Sequence, residues 1–364
     1  MKTCGCLAVA LLTCVVSAGA QDAVKPTDAE VKVVVEKAYK ALAAKQNADG
    51  SFAPKLGGPG ITALTVAALI KSGKSADDPV VAKALAYLEK SIKPDGGVYD
   101  KSLANYTTCL AIVAFKEANT NGKYDVAIAA AAKFVKSLQG GETDPKDVTF
   151  GGTGYDGKGR PDLSNTQFFI EALLAAGVSK EDPAIKKAFT FVNRSQNLPG
   201  EFNDQPFAAK ATEDDAGGFV YNPTEQTNAK SEKRTAAGGL RSEGGMTYAG
   251  LKSFLYAGLS KDDPRVKAAV KWVQRHYTLD ENPGMGKSGL FYYYHTLAKA
   301  MTALGDDTLV DAKGVAHAWR KELFEKLKTT QAADGTWANT NKAFLENQPE
   351  LATAFALLAI GYCR

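Results

Sequence analysis

Gln46-Asn47-Ala48-Asp49-Gly50-Ser51-Phe52 returns near the far end of the chain as Gln331-Ala332-Ala333-Asp334-Gly335-Thr336-Trp337. In both copies a leucine, Leu42 or Leu327, stands four residues before the glutamine. A local pattern that recurs across most of a chain marks a repeated structural unit. Working outward, an amphipathic helical pattern ends on Leu42, Leu88, Val135, Val192, Val273 and Leu327, and glutamine follows four residues later at Gln46, Gln139, Gln196 and Gln331. The spacings of 46, 47, 57, 81 and 54 residues describe one unit carrying insertions of different length, the longest over about 196–243. A chain of 364 residues would ordinarily divide into two or three domains; the repeat argues for one.

Each unit holds a second helix, opening near Thr62, Thr107, Thr166, Thr247, Tyr294 and Leu351. Four of them end on a glycine eleven residues on, at Gly73, Gly177, Gly258 and Gly305, where glycine supplies the left-handed cap that ends a helix. First helices start after Asp77-Asp78-Pro79, Glu181-Asp182-Pro183 and Asp262-Asp263-Pro264. There Asp offers the capping oxygen and Pro occupies a position whose N–H is not needed. First helices carry charge on one side, whereas second helices, such as Ala63-Leu64-Thr65-Val66-Ala67-Ala68-Leu69, are apolar or small all round and must be enclosed. The last, Leu351 to Tyr362, stays apolar almost to the end of the chain. An open solenoid requires a polar terminal cap, so the six hairpins are expected to close into an all-α, α6–α6 toroid over 31–364, after a short linker at 21–30.

Composition narrows the functions. Apolar residues are 45% and charged residues 23%, which excludes a disordered or collagen-like chain. Lys plus Arg (44) and Asp plus Glu (40) nearly cancel, and no basic patch argues for nucleic acid. Lys2, the apolar run Leu7 to Ser17 and Ala18-Gly19-Ala20 read as a cleaved signal peptide over 1–20, so the expected location is secreted or periplasmic, with lipidation at Cys14 the lesser alternative. No later segment has the run of apolar residues that a membrane span needs. Its removal leaves Cys109 and Cys363, too few for a disulfide framework.

The Q-x-x-D-G-[ST]-aromatic copies, with weaker ones at Pro94 to Tyr99 and Ala216 to Tyr221, resemble the Gln-Trp repeat of squalene–hopene cyclases and the related repeat of protein prenyltransferase β subunits. Gly152-Thr153-Gly154-Tyr155 followed by Arg160 to Thr166 is similar to a cyclase-type loop entering an inner helix. Within the repeat, Gln46, Asp49, Gly50, Phe52, Gln331, Asp334, Gly335 and Trp337 read as structural staples: Gln satisfies backbone groups at helix ends, Asp-Gly makes a tight turn and the aromatic ring packs on the neighbouring unit.

The resemblance implies two chemistries, and neither set of residues is complete. Cyclases of the family protonate an alkene with a D-x-D-D cluster; the nearest match is Glu213-Asp214-Asp215, without the family spacing and in a polar insertion. Neighbouring carboxylates raise one another's pKa, so Asp214 and Asp215 are carried as acid candidates. The prenyltransferase zinc site is matched at His295, but Glu243-Gly244-Gly245 puts glycine at the cysteine position, and two ligands do not make a zinc centre. No metal or cofactor is expected. His295, with Tyr294 beside it, is the histidine singled out for catalysis; it opens an inner helix behind Tyr292 and Tyr293 and after Asn282-Pro283-Gly284-Met285-Gly286, a placement that points to the cavity mouth. Tyr292, Tyr293, Asp162, Asn165 and Glu243 complete the expected cavity lining.

Three functions follow. The first is a terpene cyclase- or prenyltransferase-like toroid that holds an apolar or isoprenoid-like molecule in its cavity. The second is a non-catalytic scaffold whose concave face or 196–243 insertion binds a protein partner. The third is a polysaccharide lyase using Tyr294 and His295 as acid and base.

Overall fold

The computed structural model describes residues 24–140 and 144–364; the signal-peptide segment lies outside them. Twelve helices alternate between two rings. The outer ring consists of α1 (Asp28–Lys45), α3 (Pro79–Lys90), α5 (Asp125–Ser137), α7 (Pro183–Arg194), α9 (Pro264–His276) and α11 (Trp319–Thr330). The inner ring consists of α2 (Gly60–Lys71), α4 (Ala104–Glu117), α6 (Leu163–Ala175), α8 (Gly244–Ala257), α10 (Leu290–Leu304) and α12 (Pro349–Cys363). Each inner helix packs on the next, and α12 packs on α2, so the ring is closed and the fold is the α6–α6 toroid. The first outer helix begins at Asp28, earlier than expected, because Thr27 and Glu30 form a reciprocal capping box. A short antiparallel pair, β1 (Leu309–Val310) with β2 (Ala316–His317), precedes α11. His317, in the second strand, is paired with Asp311 and Glu322.

Local chemistry sets the boundaries. Asp78, Asp182 and Asp263 accept from the second-residue N–H of α3, α7 and α9, each with proline in the first turn. Gly73, Gly177, Gly258 and Gly305 hold left-handed φ between +79° and +100° where inner helices end. The apolar residues that close the outer-helix patterns, from Leu42 to Leu327, are all buried.

The repeat residues act between units rather than at their own helix ends. Gln46 Nε2 donates to the carbonyl of its own loop glycine, Gly50, and to Val80 on the next outer helix. Gln139 does the same with Gly151 and Ala184, and Gln196 with Gly217 and Arg265. Gln331 closes the circle on Gly335 and Val34 of α1. In five units an inner-helix threonine (Thr62, Thr108, Thr166, Thr247 or Thr353) accepts the N–H of the residue that follows the loop turn. Asp49 and Asp334 each bind the hydroxyl and N–H two residues on, completing their turns, and Phe52 and Trp337 are buried behind them.

Candidate functional site

The axis of the toroid contains two chambers. The upper one, about 340 Å³, is bordered by the starts of all six inner helices, at Gly60, Leu103, Ser164, Glu243, Gly289 and Leu351. The lower one, about 240 Å³, reaches the ends of the same helices near Lys71, Glu117 and Ala175. Six parallel inner helices therefore direct their positive N-terminal poles at the upper chamber, where acidic groups are favoured. Phe355 forms part of the partition: Tyr292 packs edge-on against it from above, with ring centres 5.8 Å apart, and His295 stacks on it from below at 5.7 Å.

The upper chamber is mostly apolar. Ile61, Leu64, Leu110, Met246, Leu351 and Phe355 supply aliphatic and aromatic wall, and Tyr106, Tyr155, Tyr221 and Tyr292 turn rings towards it. Its rim carries Phe344 and Leu345, both at left-handed φ (56° and 61°) and both exposed, a conformation that costs a non-glycine residue about 1–2 kcal/mol. Two carboxylates enter it. Burial raises the Glu346 pKa, yet its oxygens accept the Tyr292 N–H (2.8 Å) and Asn339 Nδ2 (2.8 Å). Burial likewise raises Glu243, opposed by Lys233, whose ammonium lies 2.7 Å away. Asp162 sits just behind as the N-cap of α6, accepting from the Asn165 N–H and Nδ2; burial pushes its carboxyl up to about 6.

The residues singled out from sequence are not brought together. Asp214 is exposed and lies against His276. Asp215 is buried but accepts from the Ser242 N–H and Thr212 Oγ1, which pins the insertion and not the cavity. The acid reading of the pair is corrected on that geometry: neither borders a chamber. His295 faces the lower chamber instead of the mouth, because it lies more than a turn inside α10. Burial, then repulsion from Lys299, lowers its pKa to about 3, and its Nδ1 has no partner. His295 and Glu243, the two residues that match the prenyltransferase zinc segments, therefore border different chambers.

Tyr293 and Tyr294 are also structural. The fifth unit lacks the Gln and Thr staples, and the two hydroxyls replace them by donating to the carbonyls of Thr278 and Leu279 at 2.7 and 2.6 Å. Tyr294 is buried, its hydroxyl held on the Leu279 carbonyl, and it borders neither chamber, whereas His295 borders the lower one. Of the expected lining, Tyr292 and Glu243 border the chamber, Asp162 and Asn165 stand behind it, and Tyr293 lies outside it.

The insertion 196–243 is folded rather than a free polar loop. Phe207, Ala208, Val220 and Leu240 form a small core of their own, and the segment delivers Tyr221, Lys233 and Glu243 to the rim. Sequence reading also passed over Glu171, Lys252 and Lys299. All three are buried, with Glu171 accepting from both ammoniums. The signal was present: each is a lone charge in the middle of an otherwise apolar inner helix.

Residues 55–214 match the squalene-hopene cyclase C-terminal domain family. No curated protein matches the chain in sequence. Among solved structures, a protein from Actinoplanes aligns over 92% of this chain and 99% of its own at 11% identity with a TM-score of 0.52. A D-mannose isomerase aligns over 93% and 96% at 12% identity with a TM-score of 0.53. Both likenesses concern the fold alone. The type II terpene cyclase MstE from Scytonema covers 92% of this chain and 98% of its own at 12% identity, but its TM-score of 0.34 is too low to bear on the site. The family match concerns residues 55–214, and over that stretch the chain is similar to the squalene-hopene cyclase C-terminal domain.

Proposed function

We propose that the protein is an exported, terpene cyclase-like toroid that binds an apolar, isoprenoid-like molecule in its upper chamber without cyclising it. The observation that carries this reading is an apolar chamber whose carboxylates are already engaged. Protonating an alkene requires a carboxylic acid whose O–H is free to point at the substrate. Glu346 accepts N–H groups on both oxygens and Glu243 is paired with Lys233, so both are held as acceptors. What remains is shape, aliphatic contact and four tyrosine rings, which suit a nonpolar unsaturated chain.

Farnesol and geranylgeraniol titrated into the purified protein, read by isothermal calorimetry, should bind, and Ile61→Arg should abolish the signal. Products extracted after incubation with squalene should contain no ring-closed species. Absence of binding overturns the reading; a cyclised product that disappears in Glu346→Gln would show a catalyst instead. Export is checked by the mass of protein recovered outside the cytoplasm, expected to begin at Gln21.

A further inference from the structure

The lower chamber is a different environment from the one above it. Glu171 lies between two ammoniums: Lys252 Nζ donates to it at 2.5 Å and to Gln167, while Lys299 donates to its other oxygen. Burial alone would push the Glu171 carboxyl up, but Lys252 and Lys299 outweigh it and hold it well below its usual range. Burial lowers Lys252 to about 8, so near neutral pH two ammoniums stand against one carboxylate and leave a surplus of one positive charge, with Lys252, Glu171 and Lys299 each no more than 8% exposed.

An uncompensated charge in a nonpolar interior is costly. The inner-helix dipoles do not remove it: Lys252 and Lys299 stand more than a turn before the ends of α8 and α10, and helical side chains lean towards the N-terminus, away from the negative pole. Lys71 and Glu117, one charge of each sign, stand at the outer end of the chamber.

Lys299 borders the chamber, donates to Glu171 and stands 5.8 Å from the centre of the Tyr362 ring. One turn before Lys299 on the same helix, the buried His295 also borders the chamber, its Nδ1 unpartnered. Tyr256 and Tyr362 also border the chamber beside the lysines, and the other walls are apolar, with Ala67, Val113, Phe168, Leu174 and Leu358.

We propose that the lower chamber is a second ligand site, for a monocarboxylate with a short apolar body, its carboxylate on the Lys299 ammonium and beside His295. A single negative charge balances the surplus, which a phosphate dianion would exceed, and the aliphatic walls take the rest of the molecule. The site stands independently of the ligand assigned to the upper chamber.

Hexanoate, hexanol and inorganic phosphate, each titrated into the full chain by calorimetry, test it. Hexanoate is expected to bind at least about tenfold more tightly than hexanol or phosphate, as a charge-assisted contact in a dry chamber demands. Lys299→Met, which leaves Glu171 paired with Lys252, should lose that preference while binding hexanol as before, and Lys299→Arg should retain it. In the unaltered protein the His295 ring resonance should move with hexanoate, and further than with hexanol, a readout that needs no variant and locates the ligand below Phe355. Equal affinity for acid and alcohol, tighter binding of phosphate, undiminished hexanoate affinity in Lys299→Met, or a stationary His295 resonance would each overturn the proposal.

Discussion

Gly151 and Gly177 hold nearly the same backbone angle, φ +79° and +83°, but in different surroundings. A Cβ on Gly151 would lie 1.9 Å from the Lys187 carbonyl oxygen of the next outer helix, whereas one on Gly177 would meet nothing within 4 Å. Gly177→Ala therefore bears only the left-handed penalty, about 1 kcal/mol. Gly151→Ala must also push two units apart and is expected to lose clearly more, about 3 kcal/mol or beyond, in urea unfolding. Asp162 makes a pH prediction. Burial lifts its folded-state pKa from 3.8 to about 6, so the folded protein holds a proton that the unfolded chain has released between those values. Its contribution to stability is therefore most favourable below about pH 4 and declines as pH rises to about 6. Relative to Asp162→Asn, which keeps the cap acceptor but cannot titrate, the unaltered protein should lose about 1–3 kcal/mol between pH 4 and pH 7, measured by unfolding at each pH. A flat difference across that range would refute the assignment.

Among the elements, α10 differs most from its sequence reading. Tyr293 and Tyr294 belong to a run that reads as cavity lining, yet each hydroxyl anchors the preceding loop. Tyr293→Phe and Tyr294→Phe should each lower stability by about 1 kcal/mol, since a buried carbonyl loses its donor, and should leave calorimetric binding in the upper chamber unchanged. Loss of ligand affinity in either variant, with stability preserved, would return that tyrosine to the site. The hydropathy of the helix was legible; which face of it met the cavity was not. A helix buried on all sides has no amphipathic stripe to report its orientation, and one residue of rotation, about 100°, separates Tyr292 on the chamber from Tyr293 behind it. The insertion shows the opposite case: its polar composition concealed the four-residue core that steadies the Lys233–Glu243 pair.

At the scale of the whole molecule, closure couples the two ends of the chain. Packing of α12 on α2, Gln331 on Val34 and Arg364 on the Ser72 carbonyl join the sixth unit to the first. Removal of Pro349–Cys363 would expose apolar faces of α2 and α10 together. The truncated chain is expected to lose its cooperative thermal transition by circular dichroism and to elute as an aggregate. A truncated protein that remained monomeric, with a sharp transition, would show that the ring is dispensable and that the units stack as an open array.

The number of units, their helical pairing, the caps and the turn glycines were legible in the sequence, because these follow from local propensity and hydrophobic period; closure of the ring rests on the packing of α12 on α2. Which polar residues share a space is a matter of tertiary packing. Asp214 and Asp215 are neighbours in sequence but lie outside both chambers, while Glu171, Lys252 and Lys299 come from three different helices and meet in one ion-paired cluster, with Glu171 and Lys299 on the lower chamber. Distance along the chain carries no information about convergence on the axis of a ring. That is set by the rotation of each inner helix about its own axis, which the packing of its two neighbours fixes.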